Sequence, residues 1–141
     1  MSITHFPVVK DLAAIDCGPG CLQMILAHHR RAVGLPYLRW LTRQNGNGTS
    51  MLGLSRAAEF FGLRTLTVRI PSQKLLDEAP LPCILHLPSI SFFVVLVEQA
   101  PRGIWLANPC TGLDLYRKAT VDKYFLIPGT AEGIAMFVED P

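Results

Sequence analysis

The sequence predicts an α+β domain in which helices come first and a run of antiparallel strands follows. Two observations carry this. From about residue 17 to 61 apolar residues recur at helical spacing, whereas beyond Gly62 the period shortens towards 2. Short apolar runs then alternate with turns rich in Gly and Pro, the pattern of hairpins. Size is the third observation. The chain has 141 residues, half of them apolar and 17% charged, which suits one folded domain over 1–141 with a substantial core. No internal repeat and no linker interrupts it.

Residues 1–14, with Pro7 and the Val8-Val9 pair, read as an extended lead-in. The first helix is expected from Cys17 to about Arg30, with Asp16 as N-cap and Pro19 in the first turn, where its missing N–H costs little. Cys17, Cys21, Met24 and His28 share one stripe of that helix, flanked by Leu22 and Ile25, and Cys21 and Met24 read as core. A second helix is expected from Pro36 to Arg43, burying Leu38 and Leu41, and residues 44–48 form a loop. Thr49 or Ser50 caps a third helix through Phe61, with Leu52, Ala57, Phe60 and Phe61 among its apolar positions; Gly62 ends it in the left-handed region. Strands are expected at Arg64–Ile70, around Leu85 and Phe93, at Ile104–Ala107, at Leu113–Tyr116 and at Gly133–Val138. Ser72 and Thr120 each suit the cap of a short helix.

Bulk properties narrow the function classes. The net charge is +2 with charges scattered, so no basic footprint for nucleic acid is visible. No apolar run reaches the roughly 18 residues of a membrane span, and the N-terminus lacks the layout of a secretory signal. A cytosolic location with reduced thiols is therefore expected for the four cysteines. Their spacing is not that of a zinc or redox C-x-x-C site. Cys17 stands out among them because it lies at a predicted helix start, directly after Asp16. The positive field there favours thiolate, which is how a cysteine nucleophile is commonly presented.

Six short stretches in order then carry a resemblance. They are Asp-Cys-Gly-x-x-Cys-Leu-x-Met-Ile-Leu at 16–26, Gly-Thr-Ser-x-x-Gly-Leu at 48–54 and Ala-Ala-Glu-x-x-Gly-Leu at 57–63. Pro-x-Ile-Leu-His at 82–86, Phe-Val-Val-Leu at 93–96 and Asn-Pro-x-x-Gly at 108–112 complete the set. Over nearly its whole length the chain resembles the bacteriocin-processing cysteine peptidase domain found at the N-terminus of peptide-exporting ABC transporters. The resemblance implies a papain-like fold and cleavage of leader peptides after a Gly-Gly pair on the cytosolic side, before export.

Carried over residue by residue, the resemblance places the nucleophile at Cys17 but leaves three roles with altered residues. The base position, a histidine in the family, is Phe92. The orienting aspartate is replaced by Asn108, and the oxyanion-hole glutamine by Asp11. Phenylalanine can neither take a proton nor form the imidazolium that stabilises a thiolate. The Asp-to-Asn swap alone costs about 10⁴ in one serine protease, through the wrong histidine tautomer. Here, with no histidine to orient, Asn108 is left to hold the turn. A carboxylate at Asp11 would repel the developing oxyanion. Removing a base from a triad costs on the order of 10⁴–10⁶ in rate.

Other histidines are poor substitutes on sequence grounds. His28 lies eleven residues along the same helix, about 16 Å from Cys17 at the usual rise. His29 fails for the same reason, and His5 lies in the lead-in. His86 has the same strand parity as Phe92, six residues later, and is expected to share its face across the hairpin. The expected function is thus a degenerate, non-proteolytic peptidase-like domain of an ABC exporter. It binds leader or cargo peptide in a cleft walled by Phe92 and His86, at the inner face of the bacterial plasma membrane. Its partners are that peptide and the exporter's transmembrane and nucleotide-binding parts; no cofactor is expected in this domain, ATP belonging to the nucleotide-binding part. The alternative is an active peptidase cutting double-glycine leaders with an unusual base such as His86. A thiol switch of Cys17 and Cys21 is disfavoured by the poor disulfide geometry of cysteines four apart on a helix.

Overall fold

The structure is a computed structural model that describes residues 3–43 and 48–141. Its helices are α1 (Cys17–His28), α2 (Leu35–Thr42), α3 (Met51–Phe60), α4 (Ser72–Glu78) and α5 (Lys118–Phe125). Its strands are β1 (Arg64–Pro71), β2 (Cys83–Leu87), β3 (Phe92–Ala100), β4 (Gly103–Asn108), β5 (Gly112–Tyr116) and β6 (Glu132–Glu139). The six strands form one sheet in the order β1-β6-β2-β3-β4-β5, every neighbour antiparallel. Only β2 to β5 form the expected meander. The last strand inserts between the first two, where Ala135 and Met136 are fully buried.

The alternation along each strand sends its side chains to two cores. Ile84, Phe93, Val95, Ala107 and Met136 face α1, α2 and α3. Leu85, Val94, Leu96, Leu106 and Ala135 face Leu75 of α4 with Val121 and Phe125 of α5. The sheet is therefore covered on both faces, by α1 to α3 on one and by α4 and α5 on the other.

Several local expectations change. The lead-in is not simply extended, because short 3₁₀ turns occupy Ile3–His5 and Ala14–Asp16. Ser50, not Thr49, caps α3, its Oγ accepting from the Gly53 N–H at 3.0 Å. Asp16 makes no side-chain cap bond to α1, because two arginines hold its carboxylate elsewhere. Ser72 and Thr120 lie inside α4 and α5, whose N-caps are Pro71 and Arg117. Leu52 and Phe60, expected among the apolar positions of α3, are 58% and 64% exposed. The helix buries only the narrower face carrying Leu54, Ala57 and Ala58. Of the predicted loop at 44–48, residues 44–47 lie outside the described residues.

Candidate active site

The N-terminal turn of α1 is built from Gly and Pro because two other segments crowd it. A Cβ on Gly18 would come within 2.8 Å of Thr49 Cβ, and one on Gly20 within 2.7 Å of Pro109 Cβ. The turn ahead of α3 and the turn after β4 therefore close on Cys17 from two sides. The lead-in is pinned to the second of these turns, with the N–H groups of Asp11 and Leu12 donating to the carbonyls of Cys110 and Pro109 at 3.0 and 3.1 Å.

A cleft of about 380 Å³ opens beside Cys17, between the 14–18 segment, Gly48-Thr49 and the β2–β3 end of the sheet. The sheet contributes His86, Ser91 and Phe93. Cys17 itself is only 5% exposed. Burial is the largest influence on its thiol and raises the pKa above the ordinary value. Backbone N–H groups of Phe93, Gly18 and Cys17 act in the opposite direction, and the neighbouring Cys110 thiol adds to the rise. The thiolate-favouring field expected from the helix start is thus outweighed by desolvation.

The site residues read from the sequence end up in different places. His86 lines the cleft, half-buried, and burial lowers its pKa so that the neutral imidazole is favoured. It does not pair with Phe92. The four-residue connection at 88–91 sets a register in which His86 faces Phe93 and Leu87 faces Phe92. Cross-strand partners share a face, so counting parity through the turn gives the wrong answer. The His86 and Phe93 rings lie 5.1 Å apart. Phe92 instead sits at the sheet's end against both cores and is not among the cleft-lining side chains.

Asn108 closes β4, and its Oδ1 accepts the Cys110 N–H at 2.8 Å, the bond of an Asx turn. It faces a separate cavity of about 140 Å³ with Tyr116 and Tyr124, against the second core. Asp11 is exposed with φ of 65°, and it too lies outside the cleft lining. Of the four positions that the resemblance singles out, only Cys17 therefore lines the cleft. Phe93, Ser91 and Thr49 were missed as wall residues. Thr49 and Phe93 both belong to motifs of the resemblance, but which face Phe93 takes depends on the strand register. Among the described residues no group of three or more His, Cys, Asp or Glu is placed to hold a metal.

A cysteine buried at the start of a helix, laid across an antiparallel sheet that supplies the opposite wall of the cleft, is the framework of a papain-like cysteine peptidase. The chain belongs to the Peptidase C39 family, whose model matches residues 5–131. It is 31% identical over 121 residues to the colicin V secretion/processing ATP-binding protein CvaB of Escherichia coli, covering 84% of this chain. It is 37% identical over 98 residues to the pediocin PA-1 transport/processing ATP-binding protein PedD of Pediococcus acidilactici, covering 67% of this chain. The chain spans only 17% and 14% of those two relatives. Among solved structures it is similar to a double glycine motif protease from an AMS/PCAT transporter in complex with the leader peptide. That match has a TM-score of 0.86 and 27% identity, covering 96% of this chain and 91% of the other. The peptidase domain of Streptococcus ComA has the same fold, with a TM-score of 0.84 at 22% identity over 97% of this chain and all of that one.

Proposed function

We propose that this domain is a degenerate, non-proteolytic member of its family that binds leader or cargo peptide for an ABC exporter. The observation that carries the reading is the substitution at the base position. Where the family's histidine belongs stands Phe92, packed between two apolar cores. Cys17 keeps its place but is buried, with its thiol held in the protonated form. Asp11 is turned to solvent, so it offers no donor to an oxyanion. What is left is a cleft of about 380 Å³ with an aromatic wall at Phe93. The relatives are named as secretion, processing and transport ATP-binding proteins, and a structural neighbour holds a leader peptide. By extension, this domain works at the cytosolic face of a membrane exporter, with ATP used by the exporter's nucleotide-binding part. Among the described residues no helix is long and apolar enough to cross a membrane.

Titrating the labelled domain with a double-glycine leader peptide tests this. Amide shifts are expected at Gly18, Thr49 and Phe93, with the peptide intact by mass spectrometry. No shifts in the cleft would defeat the binding reading. One observation favours a second reading, an active peptidase. His86 lines the same cleft as Cys17 and is neutral, the state a general base requires. Cleavage of the leader that disappears in both Cys17→Ala and His86→Ala would establish this reading in place of the first.

A further inference from the structure

Asp16 is the single buried charged side chain among the described residues, 5% exposed, and it directly precedes Cys17. Burying a carboxylate is costly unless it is paired and hydrogen-bonded. Here Arg39 of α2 and Arg43, the residue that caps its C-terminus, supply two guanidinium groups. Arg39 grips the carboxylate as a fork, Nε to Oδ1 at 3.0 Å and Nη2 to Oδ2 at 2.9 Å. Arg43 also bonds Oδ1, and its Nη2 donates to the Ile15 carbonyl at 2.7 Å. The carboxylate makes no cap bond to α1, so its role is not to start the helix. What it does is tie residues 15 and 16 to a neighbouring helix, and Ala14, Ile15, Cys17 and Gly18 form one lip of the cleft.

We infer that Asp16 is a positioning residue for the cleft: held by Arg39 and Arg43, it fixes the 14–18 lip and with it the placement of Cys17 against a bound peptide. The inference rests on the reading of the cleft as a peptide site. A fork of two parallel bonds fixes orientation as well as charge, which a lysine's single ammonium does not reproduce. Loss of the clamp leaves the lip free to move, exposing the buried thiol and spoiling the fit to a peptide.

The test uses the domain with Cys110→Ser, so that iodoacetamide reports Cys17 alone, since Cys21 and Cys83 are fully buried. Alkylation rate is measured against pH to its high-pH plateau, and double-glycine leader affinity is measured alongside. Once Cys110 is replaced, the titratable and charged groups around Cys17 are Cys21 on α1, His86 on β2, and Asp16 with Arg39 of α2 and Arg43 just beyond it; the turn before α3 and β3 present the neutral Thr49 and Phe93. Removing a charge slides the rate curve along the pH axis and alters the plateau by only about threefold per pKa unit, whereas a freed lip raises the plateau beyond that. Asp16→Asn is expected to raise the plateau roughly fivefold or more and to weaken leader binding about tenfold. Arg39→Lys should give an intermediate effect, and adding Arg39→Gln to Asp16→Asn should change little further, because the two residues act as one unit. A folded Asp16→Asn domain with the parent's plateau overturns the inference; if that variant does not fold, an unchanged plateau in both Arg39→Lys and Arg39→Gln does so instead. A raised plateau in a domain whose parent binds no leader peptide would uphold the clamp and refute the peptide-binding reading.

Discussion

At the scale of single residues, Cys17 is governed by two opposed effects. Three backbone N–H groups favour the thiolate, while removal from water disfavours it, and desolvation is the larger. Alkylation of Cys17 should therefore be slow at pH 7 and still rising above pH 9.0, the ordinary thiol value, in a stopped-time mass-spectrometric assay. A plateau reached near neutrality would mean that the helix-start field dominates after all. His86 responds to the same desolvation in the other direction. Its NMR titration midpoint should lie below 6.5, leaving it neutral at physiological pH. The residue-level reading from sequence located Cys17 and His86 in one cleft but misplaced Phe92. Parity along a strand is local information, whereas the face a residue meets across a hairpin depends on the turn's register.

At the scale of elements, α1 shows why glycine occurs in a helix. Alanine is intrinsically better there by about 1 kcal/mol. At Gly20, however, a methyl would meet Pro109 Cβ at 2.7 Å and Leu12 Cδ1 at 2.8 Å. Overpacking of this kind costs about 1–3 kcal/mol, so Gly20→Ala should lower stability despite the propensity gain. Urea denaturation would check the sign, and a stabilised variant would show that the Pro109 turn yields freely. The cap of α3 gives a second case. Ser50→Ala removes the bond to the Gly53 N–H and should cost about 1 kcal/mol in the same assay. These elements were largely legible, since the 3.6-residue period, Ser50 and Gly62 all lie within a few residues of what they control. The starts of α4 and α5 were less so, because their packing against the sheet through Leu75 and Phe125 overrides the cap signal of Ser72 and Thr120.

At the scale of the whole molecule, stability should depend on pH in two stages. His28, His29 and His86 all have pKa values lowered by burial. As pH falls below 6.5, the unfolded chain binds protons that the folded one resists, so folding weakens through that window. The carboxyl of Asp16 is lowered by the Arg39 bond first, then by Arg43, against a burial effect that raises it. Its stabilisation is complete above the unfolded value of 3.8 and is lost as pH falls further towards the folded one. Thermal melts should thus show Tm falling first below pH 6.5 and again below about 4, the second fall shrinking in Asp16→Asn. A Tm independent of pH down to 4 would contradict the burial of the histidines.

Local spacing and residue type carry the α+β class, the helix that begins at Cys17 and the strand positions. Neither needs a partner to be read. Long-range packing sets β6 between β1 and β2, covers both faces of the sheet with helices, and places Phe93 rather than Phe92 in the cleft with the thiol. It also makes Asp16 an anchor to α2 and not a cap. Each of these depends on contacts between residues far apart in the chain, where pairing register and burial outweigh the local preference of any one side chain.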